Sequence, residues 1–113
     1  MTINGWGEEP DPRAPRLPAL AHLLAALAEP ARLSLLRHLT LGEHRVVELT
    51  AHLGLAQSTT SAHLARLREC GLVSVRSDGR ASVYALVAPA ELDALLAAAE
   101  ALRAATAPGE NHP

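Results

Sequence analysis

Phenylalanine and lysine are both missing from these 113 residues, and tryptophan, tyrosine, methionine and cysteine occur once each. With almost no aromatic bulk, the core has to be filled by leucine, alanine and valine, which suits closely packed helices. The single cysteine, Cys70, excludes an intramolecular disulfide framework and fits a reducing compartment. The longest uncharged apolar run, Leu17 to Ala28, is too short to cross a bilayer, and the acidic, proline-rich first sixteen residues do not read as a secretory leader. The expectation is a cytoplasmic protein without membrane contact. A glycine-rich phosphate loop, an HExxH pair and a serine in a nucleophile elbow are all lacking, the carboxylates are scattered, and Cys70 has no identifiable activating histidine. Catalysis is therefore not expected.

The formal net charge of −2 argues at first against a nucleic-acid partner. Its distribution matters more, because the stretch from Arg32 to Arg80 is arginine-rich and the negative balance comes from the two ends. A modestly basic middle is compatible with DNA.

The length fits one domain. Residues 1–16 carry Gly5, Gly7, Pro10, Pro12 and Pro15 without apolar periodicity and are expected to form a disordered arm. Residues 106–113 are expected to be a frayed tail, which leaves a domain over 17–105. Within it, Leu17, Leu20, Leu23, Leu24 and Leu27 mark a first helix. Pro30 opens a second with Leu33, Leu36 and Leu39 on its buried face. A short third helix runs from about Val46 to Leu53 and stops at Gly54.

The most informative segment follows: Gln57-Ser58-Thr59-Thr60-Ser61-Ala62-His63-Leu64-Ala65-Arg66-Leu67-Arg68. Its spacing is helical, and two helices joined by a short turn beginning with glycine have the form of a helix-turn-helix. Small hydroxyl and amide side chains at the start let the backbone approach bases and phosphates closely, while Arg66 and Arg68 can neutralise phosphate charge. Simple helix capping is the bland reading of the hydroxyls, and solvated pairing with Glu69 that of the arginines. His63 fits either a phosphate contact or a prop for the helix. Two strands, Leu72 to Arg76 and Ala81 to Leu86, join around Asp78-Gly79 as a hairpin whose tip is expected to carry Arg76 and Arg80. A hairpin directly after the second helix is a wing, and its arginines can hold the flanking backbone. Pro89 opens a last helix with Leu92, Leu95, Leu96, Ala99 and Leu102 on one stripe. The expected class is α+β, mostly helical: a winged helix-turn-helix of four helices, a β-hairpin and a final dimerising helix.

Glu29-Pro30-Ala31-Arg32-Leu33, the Gln57 to Leu64 segment, Gly71-Leu72-Val73, Gly79-Arg80 and Tyr84-Ala85-Leu86 together resemble the ArsR/SmtB family of bacterial winged-helix regulators. The resemblance covers roughly Leu17 to Ala105. It implies a transcriptional regulator that dimerises through its first and last helices and binds double-stranded DNA. Two recognition helices would enter successive major grooves about 34–36 Å apart on an imperfectly palindromic operator. Gln57, Ser58, Thr59, Thr60 and Ser61 are the candidates for base and phosphate contact. His63, Arg66 and Arg68 would support or anchor that helix, and Arg76 and Arg80 would hold the flanking backbone.

Three positions depart from the family pattern. Thr60 stands where the family has an apolar β-branched residue. Ala56 replaces a capping serine, leaving the cap to Gln57 or Ser58, and Glu29 replaces an aspartate ahead of Pro30. The larger departure concerns effectors. Family metal sites use a Cys-x-Cys on the first helix of the helix-turn-helix, or Asp and His on the last helix. Here Val46 to Leu55 has no cysteine, and the last-helix positions fall on Ala88, Ala90, Ala101 and Ala104. A third variety pairs two cysteines in the recognition helix; Cys70 matches one, but Ala65 or Arg66 stands near the other. Cys70 itself reads better as a buried filler than as a ligand. His22, His38, His44 and His52 lack the close pairing that puts two rings on one ion, although a cluster shared between subunits would suit nickel or zinc. An alternative keeps the fold and makes the chain an interaction module whose partner protein senses such a metal.

Overall fold

A computed structural model describes residues 16–108 together with Pro12. The expected arm over 1–16 and the end of the expected tail lie outside these residues almost entirely. Eight elements follow in chain order: α1 (Leu17–Leu27), α2 (Pro30–Leu39), β1 (His44–Arg45), α3 (Val46–Leu53), α4 (Gln57–Glu69), β2 (Val73–Asp78), β3 (Ala81–Leu86) and α5 (Pro89–Thr106). The winged helix-turn-helix expectation holds, with one addition. The sheet has three antiparallel strands in the order β1-β3-β2. The extra strand, β1, pairs His44 with Tyr84 and Arg45 with Val83.

Local chemistry sets the boundaries. Pro30 and Pro89 occupy first positions of their helices, where a missing N–H costs nothing. Glu29 is a working cap despite its length, since its carboxylate accepts the Arg32 N–H at 2.9 Å. Glu48 reaches back in the same way to accept the Arg45 N–H at 2.7 Å at the start of α3. Gly54 ends α3 at φ 70°, in the left-handed region that a side chain disfavours. The wing turn is the two-residue loop Gly79-Arg80 between Asp78 and Ala81, one residue beyond the expected Asp78-Gly79. Gly79 takes φ 63° at the first loop position, where type II′ turns require glycine.

The core is aliphatic, as the composition demanded. Leu27, Leu35, Leu36, Leu39, Leu49, Leu64, Leu67, Val73 and Leu92 form one buried cluster joining all five helices to the wing. Burying such a side chain contributes roughly 1.5–3 kcal/mol each. The leucine stripes of α1 and α5 are mostly left outside this cluster. Leu17, Leu20, Leu24 and Leu102 are 45, 38, 41 and 65% exposed, and an apolar groove of about 860 Å³ runs between α1, α2 and α5 past Leu24, Leu33, Leu95 and Leu96. Among the described residues no single helix is long and apolar enough to cross a membrane.

Candidate nucleic-acid interface

The α4 helix is partitioned by its own period. Thr60, Leu64 and Leu67 recur at i, i+4 and i+7 and are all fully buried. Gln57, Ser58 and Thr59 are exposed on the first turn, as is Arg68 near the end of the helix, while Ser61 and Arg66 are half-buried. Thr60 is therefore a correction to the expected contact set. Its side chain is sealed in the core, and its Oγ1 donates to the Ala56 carbonyl at 3.2 Å. The same carbonyl also receives the Thr60 N–H at 3.0 Å. Capping is a second correction: Ala56 is the cap residue of α4, with no side-chain hydrogen bond, so neither Gln57 nor Ser58 plays that part. Their polar groups are left facing outward. The spacing of Thr60 ahead of Leu64, and the family's apolar preference at that position, were the signals that it points inward.

His63 is turned to the protein. Its side chain is 19% exposed, its Nδ1 lies 3.5 Å from an Arg32 guanidinium nitrogen, and Glu29 Oε1 is 3.9 Å away. The ring is turned toward the elbow between α1 and α2 and not toward solvent. The wing arginines differ from one another. Arg80 sits exposed in the loop, with no ion-pair partner among the described residues. Arg76 lies within β2, not at the tip, and its guanidinium is held by Glu43, whose hydrogen bond and charge raise its pKa further above the ordinary arginine value. Arg45 on β1 pairs with Asp78 at 3.4 Å, close to the turn. Sequence reasoning gave Arg45 no role, because the two-residue strand that brings it to the wing was not foreseen. Both ion pairs are more than half exposed on their arginine side, so neither adds much stability, and both can exchange a carboxylate for a phosphate.

Among the described residues no group of three or more His, Cys, Asp or Glu side chains is arranged to hold an ion. Ala88, Ala90, Ala101 and Ala104 offer no donor, and the residues present do not fit the family's metal sites. The histidines nevertheless gather in a way their spacing did not suggest. His38 of α2 stacks on His52 of α3, ring centroids 4.0 Å apart and planes 19° from parallel, and meets the His44 ring at 4.4 Å. In-plane nitrogen lone pairs of stacked rings do not converge, so the arrangement is packing, not chelation. Burial, followed by repulsion from His52 and His44, lowers the His38 pKa from its ordinary value, and Glu48 opposes the shift. Cys70 is half-buried at the end of α4, and its Sγ lies 3.6 Å from His22 Nε2 of α1. A histidine partner thus exists that the sequence did not identify.

Comparison with known proteins agrees with this architecture. Residues 29–75 match the model of a bacterial regulatory protein family, the arsR family. The chain is 38% identical over 78 residues to the probable mercury resistance operon repressor of Streptomyces lividans, a segment covering 69% of this chain and 62% of that relative. The crystal structure of Mycobacterium tuberculosis Rv0081 superposes with a TM-score of 0.74 at 34% identity, covering 88% of this chain and all of that one. A solution structure from Mycobacterium bovis, described as the homodimeric winged helix-turn-helix DNA-binding domain of Mb0332, superposes at 0.70 with 31% identity over 83% of this chain and 89% of that one. With its wing, its helix-turn-helix and its leucine core in the matching order, the chain belongs to the arsR family of bacterial regulatory proteins.

Proposed function

We propose that this chain is a sequence-specific DNA-binding transcriptional regulator of the cytoplasm that acts as a homodimer on an imperfectly palindromic operator. The observation that carries the reading is the outward face of α4. Gln57, Ser58 and Thr59 stand exposed at its start, free of capping duty, with Arg68 exposed near its far end and Arg80 exposed on the wing without an ion-pair partner among the described residues. These are donors and acceptors for base edges next to cations for phosphates. Homodimerisation is supported by the leucines that α1 and α5 leave uncovered and by the groove between them. A second copy is the occupant that would bury both faces by symmetry. Metal sensing forms no part of the proposal, because the described side chains supply no convergent ligand set.

The test is retention of genomic fragments by the purified chain in gel shifts with excess unrelated DNA. Recovery of fragments sharing an inverted repeat is the expected result. Retention of no fragment above the unrelated competitor, with the chain co-purifying with another protein, would instead support the interaction-module reading.

A further inference from the structure

We propose that Arg32 and His63 are a positioning pair that fixes the orientation of the reading helix α4 against the elbow between α1 and α2. The inference rests on the DNA-reading role of α4. Arg32, on the first turn of α2, points back across the elbow. Its Nε donates to the Ala26 carbonyl at 2.5 Å and its Nη2 to the Ala25 carbonyl at 3.3 Å. Those carbonyls belong to the last turn of α1, where the helix dipole favours a cation; the Ala25 carbonyl also receives the Ala28 N–H at 3.2 Å. The remaining guanidinium nitrogen, Nη1, faces His63 Nδ1 at 3.5 Å. A guanidinium can only donate, so in this contact Nδ1 is the acceptor. Glu29 closes the arrangement, capping α2 through the Arg32 N–H while its Oε1 stands 3.9 Å from the same ring nitrogen.

One fork therefore ties three helices: the end of α1, the start of α2 and the middle of α4. The leucine contacts beneath α4 are non-directional and tolerate small slides and rotations, whereas a planar fork bonded at two ends does not. A reading helix has to be held within about 0.5 Å and 10–20° of its working geometry for several base contacts to form together. The pair also links that geometry to α1, the helix whose exposed leucines offer the dimer face. Orientation of each reading helix relative to its copy then depends on the elbow.

The decisive variants in the full chain are His63→Leu, which keeps bulk and removes the acceptor, and His63→Gln, which restores one. Affinity is measured for a selected operator and for an unrelated duplex across a salt series, with amide exchange followed in α4. For His63→Leu the preference for the operator over unrelated DNA should fall about tenfold, in the range of one lost base contact. Unrelated binding and salt slope should stay as in the wild type, amide exchange across residues 60–67 should quicken, and His63→Gln should recover most of the preference. An unchanged preference in His63→Leu overturns the pair. So does a loss shared equally by unrelated DNA with a salt slope reduced by about one per site, which would make His63 a phosphate contact. Should His63→Leu fail to fold, Arg32→Lys carries the same comparison, since it keeps the charge but loses the fork. If the wild type itself shows no operator preference, the DNA-reading proposal fails, and amide exchange alone then decides whether the pair holds α4.

Discussion

Replacing Thr60 by valine separates the two faces of α4 more sharply than any other single change. The hydroxyl donates to the Ala56 carbonyl at 3.2 Å in a fully buried setting, and its loss removes a hydrogen bond worth roughly 0.5–1.5 kcal/mol net. Ala56 is not orphaned, because its carbonyl keeps the Thr60 N–H at 3.0 Å. The added methyl gains about 0.8 kcal/mol of apolar burial in the same space. The two effects nearly cancel, so Thr60→Val should alter stability by no more than about 1 kcal/mol, a melting shift of at most roughly 8 °C for a domain of this size. Operator affinity should be unchanged, since the side chain never reaches the surface. Gln57→Ala should behave in the opposite way: little effect on melting, and a loss of about 1–3 kcal/mol in discrimination, roughly 5- to 150-fold, if it makes a bidentate base contact. Thermal melts and fluorescence anisotropy on both variants give the comparison. A Thr60→Val protein that melts normally yet no longer prefers its operator would refute the inward assignment.

Other perturbations follow from the same geometry. Arg80→Ala should weaken binding to all duplexes alike and lower the salt slope by about two for a dimer carrying one phosphate contact per wing, as read from a salt titration. Leu64→Ala, at a position with no exposure, should destabilise by about 2–5 kcal/mol in chemical denaturation. For pH the sign is set by His38. Its folded-state pKa lies below the ordinary 6.5, so the folded chain binds fewer protons than the unfolded chain, and stability is lost as pH falls through 6.5. Melting temperatures between pH 5 and 8 should thus decline more steeply in the wild type than in His38→Gln; equal slopes would remove the histidine stack as the cause.

Much of the fold is legible in the sequence because its signals are periodic or stereochemical. Leucines at helical spacing, Pro30 and Pro89 at helix starts, Gly54 at a helix end and β-branched strands around Gly79 each have one inexpensive interpretation. What escapes depends on pairing between distant segments. A strand of two residues, His44 and Arg45, carries no period, and its partners Tyr84 and Val83 lie some forty residues away. The histidine stack draws on positions 38, 44 and 52 from three different elements, so neither a helical nor a strand repeat connects them. Within α4 the polar residues look alike as a list. Only the seven-residue stripe through Thr60, Leu64 and Leu67 distinguishes the hydroxyl that is buried from those left outside. Arg32 posed a similar problem: its position on α2 allowed a structural or a solvated role, and its reach to Ala25, Ala26 and His63 appears only once α1 and α4 are packed together.

Backbone footprinting of the selected operator tests the central claim most directly, that two copies of the α4 face read one duplex together. Protection should appear as two symmetric patches centred about one helical turn, roughly 34–36 Å, apart, and both should fade together when Gln57 is replaced by alanine. A single unpaired patch, or protection indifferent to Gln57, would contradict it.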